Sequence, residues 1–91
     1  MDIYDTVYFT GTLKGSMTDL RSELEKIAKD VVVSSNGSTV IGHASSETYR
    51  RLFGKVEFKG PIERWKAAEP ARIPPELQPY LASVEIDSND F

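Results

Sequence analysis

The chain contains no cysteine and a single histidine, and no apolar run approaches the roughly 18–20 residues of a membrane-spanning helix. Without cysteine there are no disulfides, no thiolate zinc sites and no cysteine nucleophile, and the redox compartment is left open. Any triad or histidine metal site would have to be built on His43. Neither a G-x-S-x-G elbow nor an H-E-x-x-H pair is present. His43 with Glu47 offers two ligands, too few for a protein zinc site. Asp87-Ser88-Asn89-Asp90 begins like a calcium loop, but the later ligands do not follow. No carboxylate pair stands out as acid and base. The expectation is therefore no enzyme, no metal and no cofactor. The opening MDIYDTVYF is acidic and lacks the basic-then-apolar order of a signal peptide. As given, the chain is expected in the cytoplasm; a longer secreted precursor would change that.

Basic charge is also in the minority, 11 Lys and Arg against 14 Asp and Glu, for a net charge of −3. That balance argues against non-specific affinity for phosphate backbones. The charge is unevenly spread. Between residues 50 and 72 lie Arg50, Arg51, Lys55, Lys59, Arg64, Lys66 and Arg72 against Glu57, Glu63 and Glu69, a local balance of +4 that leaves −7 elsewhere.

What the chain does have is enough apolar material, 40% of 91 residues, for one domain spanning 1–91 with one core. TVYFTGTL (6 to 13) alternates, with Val7 and Phe9 on one side and Tyr8, Thr10 and Thr12 on the other, which is the pattern of a half-buried strand. Ser16, with Asp19 three residues on, resembles a capping arrangement. Leu20, Leu24, Ile27 and Ala28 then recur at helical spacing, predicting an amphipathic helix over 17 to 29. Asn36-Gly37 between two β-rich runs suits a two-residue type I′ turn, in a register pairing Val33 with Val40 and Val32 with Ile41. In SSETYRRLFG, Ser45 or Ser46 can cap a short helix, Tyr49, Leu52 and Phe53 fall on one face, and Gly54 can end it. This stretch is expected to plug the core rather than recognise a ligand. KVEFK and IERWKAA form a second hairpin about Gly60-Pro61. Pro70, Pro74, Pro75 and Pro79 exclude a long element, although Pro75 can open a short helical turn through Leu77 and Leu81. A last strand is expected over 83 to 87.

Strand, helix, strand, strand, helix, hairpin, strand predicts an α+β sandwich on the ferredoxin-like βαββαβ plan, an antiparallel sheet with two helices on one face plus the extra hairpin. The other face would be bare, showing Tyr8, Thr10, Thr12, Val32, Ser34, Thr39, Ile41 and His43. Hydroxyls with a few large apolar groups suit a protein partner, or a second copy of the chain in a self-associating subunit. RNA is the other alternative, because the four-stranded RNA-recognition domain shares the plan and Tyr8 would lie where a base stacks. The third strand, with only Thr39, Ile41 and His43 in place of spaced aromatics and a basic residue, makes nucleic acid the weaker reading.

From residue 31 onward the order of features resembles the activation pro-domains of kumamolisin and sedolisin-type serine-carboxyl peptidases. The features are a hairpin ending in Val40-Ile41-Gly42, a short helix closing in Leu52-Phe53-Gly54, a hairpin containing Trp65, and Ile73-Pro74-Pro75-Glu76-Leu77 leading to Val84. The family has a longer segment, with an extra helix, between its first strand and the hairpin. The resemblance implies a free-standing, non-enzymatic inhibitor or chaperone of a serine peptidase. Its open face (Tyr8, Thr10, Thr12, Thr39, Ile41, His43) would dock on the enzyme. Its tail (Ile86, Asp87, Ser88, Asn89, Asp90, Phe91) would enter the substrate cleft, adding as a strand to the partner's edge.

Overall fold

The structure, a computed structural model, describes residues 6–59 and 64–86. Its elements run β1 (Thr6–Leu13), α1 (Met17–Ile27), β2 (Val32–Asn36), β3 (Thr39–Ser45), α2 (Ser46–Leu52), β4 (Val56–Lys59), β5 (Arg64–Ala67) and β6 (Leu81–Ile86). Four strands form one antiparallel sheet in the order β2-β3-β1-β6, while β4 and β5 pair separately. The fold is thus α+β, with a four-stranded antiparallel sheet and two helices, and is compatible with a ferredoxin-like arrangement. The hairpin expected after the second helix is β4–β5; its turn at Gly60-Pro61 lies outside the described residues.

Alternation decides which sheet face is buried. Val7 and Phe9 of β1, Val40 and Ala44 of β3 and Val84 of β6 join Leu20 and Leu24 of α1 and Tyr49 of α2 in one core, with Phe53 just beyond. Both helices therefore cover the same side. Phe9, Tyr49 and Phe53 meet as a triangle of tilted rings, with centroids 5.2–5.8 Å apart, a geometry that aromatic quadrupoles favour. The second helix is a core plug, and Arg50 and Arg51 in its last turn stand exposed. Its start is held by a small polar network. The Ser45 hydroxyl accepts the Thr48 N–H (3.2 Å), and Asp30 accepts the Ser45 N–H (3.2 Å) and the Thr48 hydroxyl (2.8 Å). The loop after α1 is thereby tied to the end of β3.

Three boundaries differ from expectation. The first helix ends at Ile27, because Ala28 is already extended (φ −157) and only its N–H closes back onto Leu24. The β2–β3 turn is Gly37-Ser38, not Asn36-Gly37: Asn36 pairs with Thr39, and Gly37 carries the positive φ (64) at the first turn position. Val33 consequently faces Gly42, not Val40, and Val32 faces His43, not Ile41. The reason lies in the core. A Cβ at Gly42 would stand 2.6 Å from Phe9 Cζ and 2.9 Å from Val33 Cγ1, so these two side chains fill the space that the glycine leaves. Finally, β6 begins at Leu81 and not at Ser83, although the Leu81 N–H still closes a helical turn onto Leu77 O (2.9 Å). The proline-rich stretch before it is held by turn bonds such as Leu77 N–H to Pro74 O (2.9 Å), and fully buried Leu77 anchors it to the core side.

Candidate functional site

The register places the outward side chains of the sheet in rows. Val32, His43 and Tyr8 form one, Ser34, Ile41, Thr10 and Glu85 the next, and Asn36, Thr39, Thr12 and Ser83 the third. Adjacent strands lie about 4.8 Å apart, so neighbours within a row touch. The Tyr8 and His43 rings are 5.6 Å apart and tilted by 54°, and the Ser83 hydroxyl donates to Thr12 Oγ1 at 3.2 Å. The surface has two halves: an apolar-aromatic corner of Val32, Tyr8, Ile41 and His43, and a band of hydroxyls ending at Glu85.

Nothing among the described residues roofs this corner. Tyr8 and Val32 are each 56% exposed and Ile41 46%, and they are the large apolar side chains that the described fold leaves open. Ordinary antiparallel sheets also show a wet face. Three large apolar groups clustered about one histidine are nevertheless more than a solvated face requires. Glu85 is the face's charged group in these rows, and neither Lys nor Arg occurs in them.

Of the anticipated contact residues, Tyr8, Thr10, Thr12, Thr39, Ile41 and His43 lie together on this face. Ile86 does not join them; it pairs with Phe9 and packs against the core. Asp87, Ser88, Asn89, Asp90 and Phe91 lie outside the described residues. Sequence reasoning missed Ser83 and Glu85. Their signal was available, since Val84 and Ile86 alternate with them, but only the pairing of β6 with β1 brings them beside Thr12 and Thr10.

Chemistry is sparse. Among the described residues no three His, Cys, Asp or Glu side chains could together hold a metal. No described helix is long and apolar enough to cross a membrane. Besides the exposed Lys26, which its bond to the Glu23 carboxylate raises, two groups have displaced pKa values with structural causes. Burial pushes the Tyr49 phenol up to about 12. Partial burial would raise Asp30, but the bonds from Thr48 and Ser45 outweigh it and hold the carboxyl below its ordinary value. Both belong to the packing of the second helix, not to the open face. Compared with known proteins, the chain matches no family model, no curated protein and no solved structure.

Proposed function

We propose that this chain is a non-enzymatic protein-binding module, built on the ferredoxin-like plan, whose open sheet face docks on another protein. In that plan β6 takes the place of the fourth strand, and β4–β5 is an insertion ahead of it. The observation that carries the reading is the uncovered corner of Tyr8, Val32 and Ile41 around His43. Its apolar area supplies the buried centre of an interface, and the flanking hydroxyls supply the satisfiable rim that such centres have. A partner rich in phosphate would find no Lys or Arg in these rows and would meet Glu85, which disfavours RNA despite the Tyr8–His43 pair. Within this class, the resemblance to peptidase pro-domains points to a serine peptidase as partner, with the chain acting as inhibitor or folding assistant. The tail would follow β6 into the cleft.

The test compares two baits, the wild-type chain and a variant carrying Tyr8→Ala and Ile41→Asp, whose changes sit on solvent-exposed positions and leave the core intact. A partner held by the first and lost by the second, followed by inhibition assays if it is a peptidase, supports the proposal. Identical captures from both baits would remove the sheet face as the docking surface. Single-stranded RNA that binds the wild type at low salt, and not the variant, would move the function to nucleic acid.

A further inference from the structure

The edge of the sheet makes a demand of its own, independent of the function proposed for its face. Which backbone groups point outward from β2 follows from bonds already in place. The Leu13 N–H donates to Ser38 O (2.6 Å) and the Lys14 N–H to Tyr80 O (2.8 Å). Odd residues of β1 therefore address β3, and even ones address β6. In an antiparallel ladder the direction alternates residue by residue. Residues 39, 41 and 43 of β3 then address β2 and engage 36, 34 and 32. Val33 and Ser35 are left with their N–H and C=O groups turned outward. The contact that Arg21 makes agrees, since its guanidinium donates to Val33 O from α1 at 3.2 Å. Among the described residues that bond is the edge's cover. Proteins commonly blunt such edges with charge or proline, and Val32–Asn36 has neither.

We propose that two copies of this chain join along their β2 strands, antiparallel about a two-fold axis at Ser34, to form one continuous eight-stranded sheet. The strand is complementary to itself. With Ser34 opposite Ser34, Val33 of each copy faces Ser35 of the other, and the outward N–H and C=O groups of both pairs are satisfied together once the exposed Arg21 guanidinium swings off Val33 O. No charge on the strand opposes its copy, although the chain as a whole is −3. Val31 then passes Gly37 of the second copy, where an added Cβ would meet nothing within 4 Å. Joining the sheets leaves the face of Tyr8 and Ile41 free and doubles it. A short edge buries less than the roughly 800 Å² per partner of standard interfaces, so the association is concentration-dependent.

Sedimentation of the full chain over a rising series of concentrations, as a weak association by a small interface requires, is expected to show the mass rising from 10.2 kDa toward twice that value. Over the same range the Val33 and Ser35 amides should become slow in hydrogen exchange, while those of Val32 and Ser34 stay protected throughout. Ser35→Pro removes an outward N–H without touching the internal ladder, and should hold the mass at 10.2 kDa with unchanged circular dichroism. Should that variant not fold, the exchange pattern decides alone. A monomer at every concentration overturns the proposal, and so does a dimer in which the Val33 and Ser35 amides remain fast. A dimer broken by Ile41→Asp and not by Ser35→Pro would place the contact on the face instead.

Discussion

Replacing Tyr49 with phenylalanine should make this protein more stable, which is unusual for a change at a core position. The Tyr49 side chain is 1% exposed and its hydroxyl finds no hydrogen-bond partner among the described residues. A buried polar group left without a partner costs about 1–3 kcal/mol. The ring is what the core uses, through its contacts with Phe9 at 5.8 Å and Phe53 at 5.2 Å, and phenylalanine keeps both. Against the gain stands the void left by one oxygen; at about 24 cal/mol per Å³, a void on the order of 10 Å³ costs roughly 0.2 kcal/mol. The net expectation is stabilisation by about 1–2 kcal/mol. For a domain of this size that is an increase of about 5–10 °C in Tm, and at a typical urea m-value a midpoint about 0.5–1 M higher with m unchanged. The pH dependence gives a second reading. With the folded phenol pushed from 10.0 up to about 12, the folded chain keeps a proton that the unfolded chain releases. Stability therefore falls as pH rises through that window, and the variant lacks this part of the fall. The gap between the two proteins should widen from pH 10 to 12. A phenylalanine variant that is less stable than wild type at neutral pH would refute the reasoning, because it would mean that the hydroxyl is bonded.

Three further changes test the packing that shapes the sheet. Gly42→Ala places a methyl 2.6 Å from Phe9 Cζ and should cost about 1–3 kcal/mol, read as a lower urea midpoint with a displaced aromatic signal in near-ultraviolet circular dichroism. Leu77→Ala empties the buried anchor of the proline-rich stretch and should cost about 2–5 kcal/mol, visible as early proteolysis between residues 68 and 81. Asp30→Asn weakens the bonds to Ser45 and Thr48 by about 1 kcal/mol at neutral pH. Because the native carboxyl titrates below its ordinary value, its contribution is complete above the unfolded pKa and is lost as pH falls below about 4. Wild type and variant should therefore converge in acid denaturation; a constant difference down to pH 2 would contradict the network.

Much of this was legible from residue order because the cues were local. Alternation in TVYFTGTL placed β1 and its two faces, and Tyr49, Leu52 and Phe53 placed the second helix against the core. What escaped depends on partners distant in sequence. Nothing near Val32 or Val33 says that the hairpin closes at Gly37-Ser38; that is decided by Phe9 and Val33 meeting over Gly42. Nor does the stretch LASVEI announce that it lies beside β1, so Ser83 and Glu85 entered the open face unannounced. The missing partner of the Tyr49 hydroxyl is likewise a fact about surroundings, invisible in any run of letters.

The register error was harmless to the site, and the reason is geometric. The observed pairing differs from the expected one by two residues along β3, and side chains in a strand repeat every two. Val33 changes its partner from Val40 to Gly42, yet both face inward, and Ile41 and His43 stay outward. A one-residue slip would have turned Ile41 and His43 into the core and brought Val40 and Ala44 to the surface. The glycines guard against such a slip. At Gly11 a Cβ would come within 2.5 Å of the Ser83 carbonyl, a backbone atom that cannot move aside as a side chain can, and at Gly42 it would strike the Phe9 ring. Both lie on the inner side of the two central strands, where β6 and Phe9 press closest. Turned outward by a slip, each would leave that press to a residue with a side chain. The open corner of Tyr8, Val32 and Ile41 is therefore held outward by the glycines on the opposite side of the same sheet.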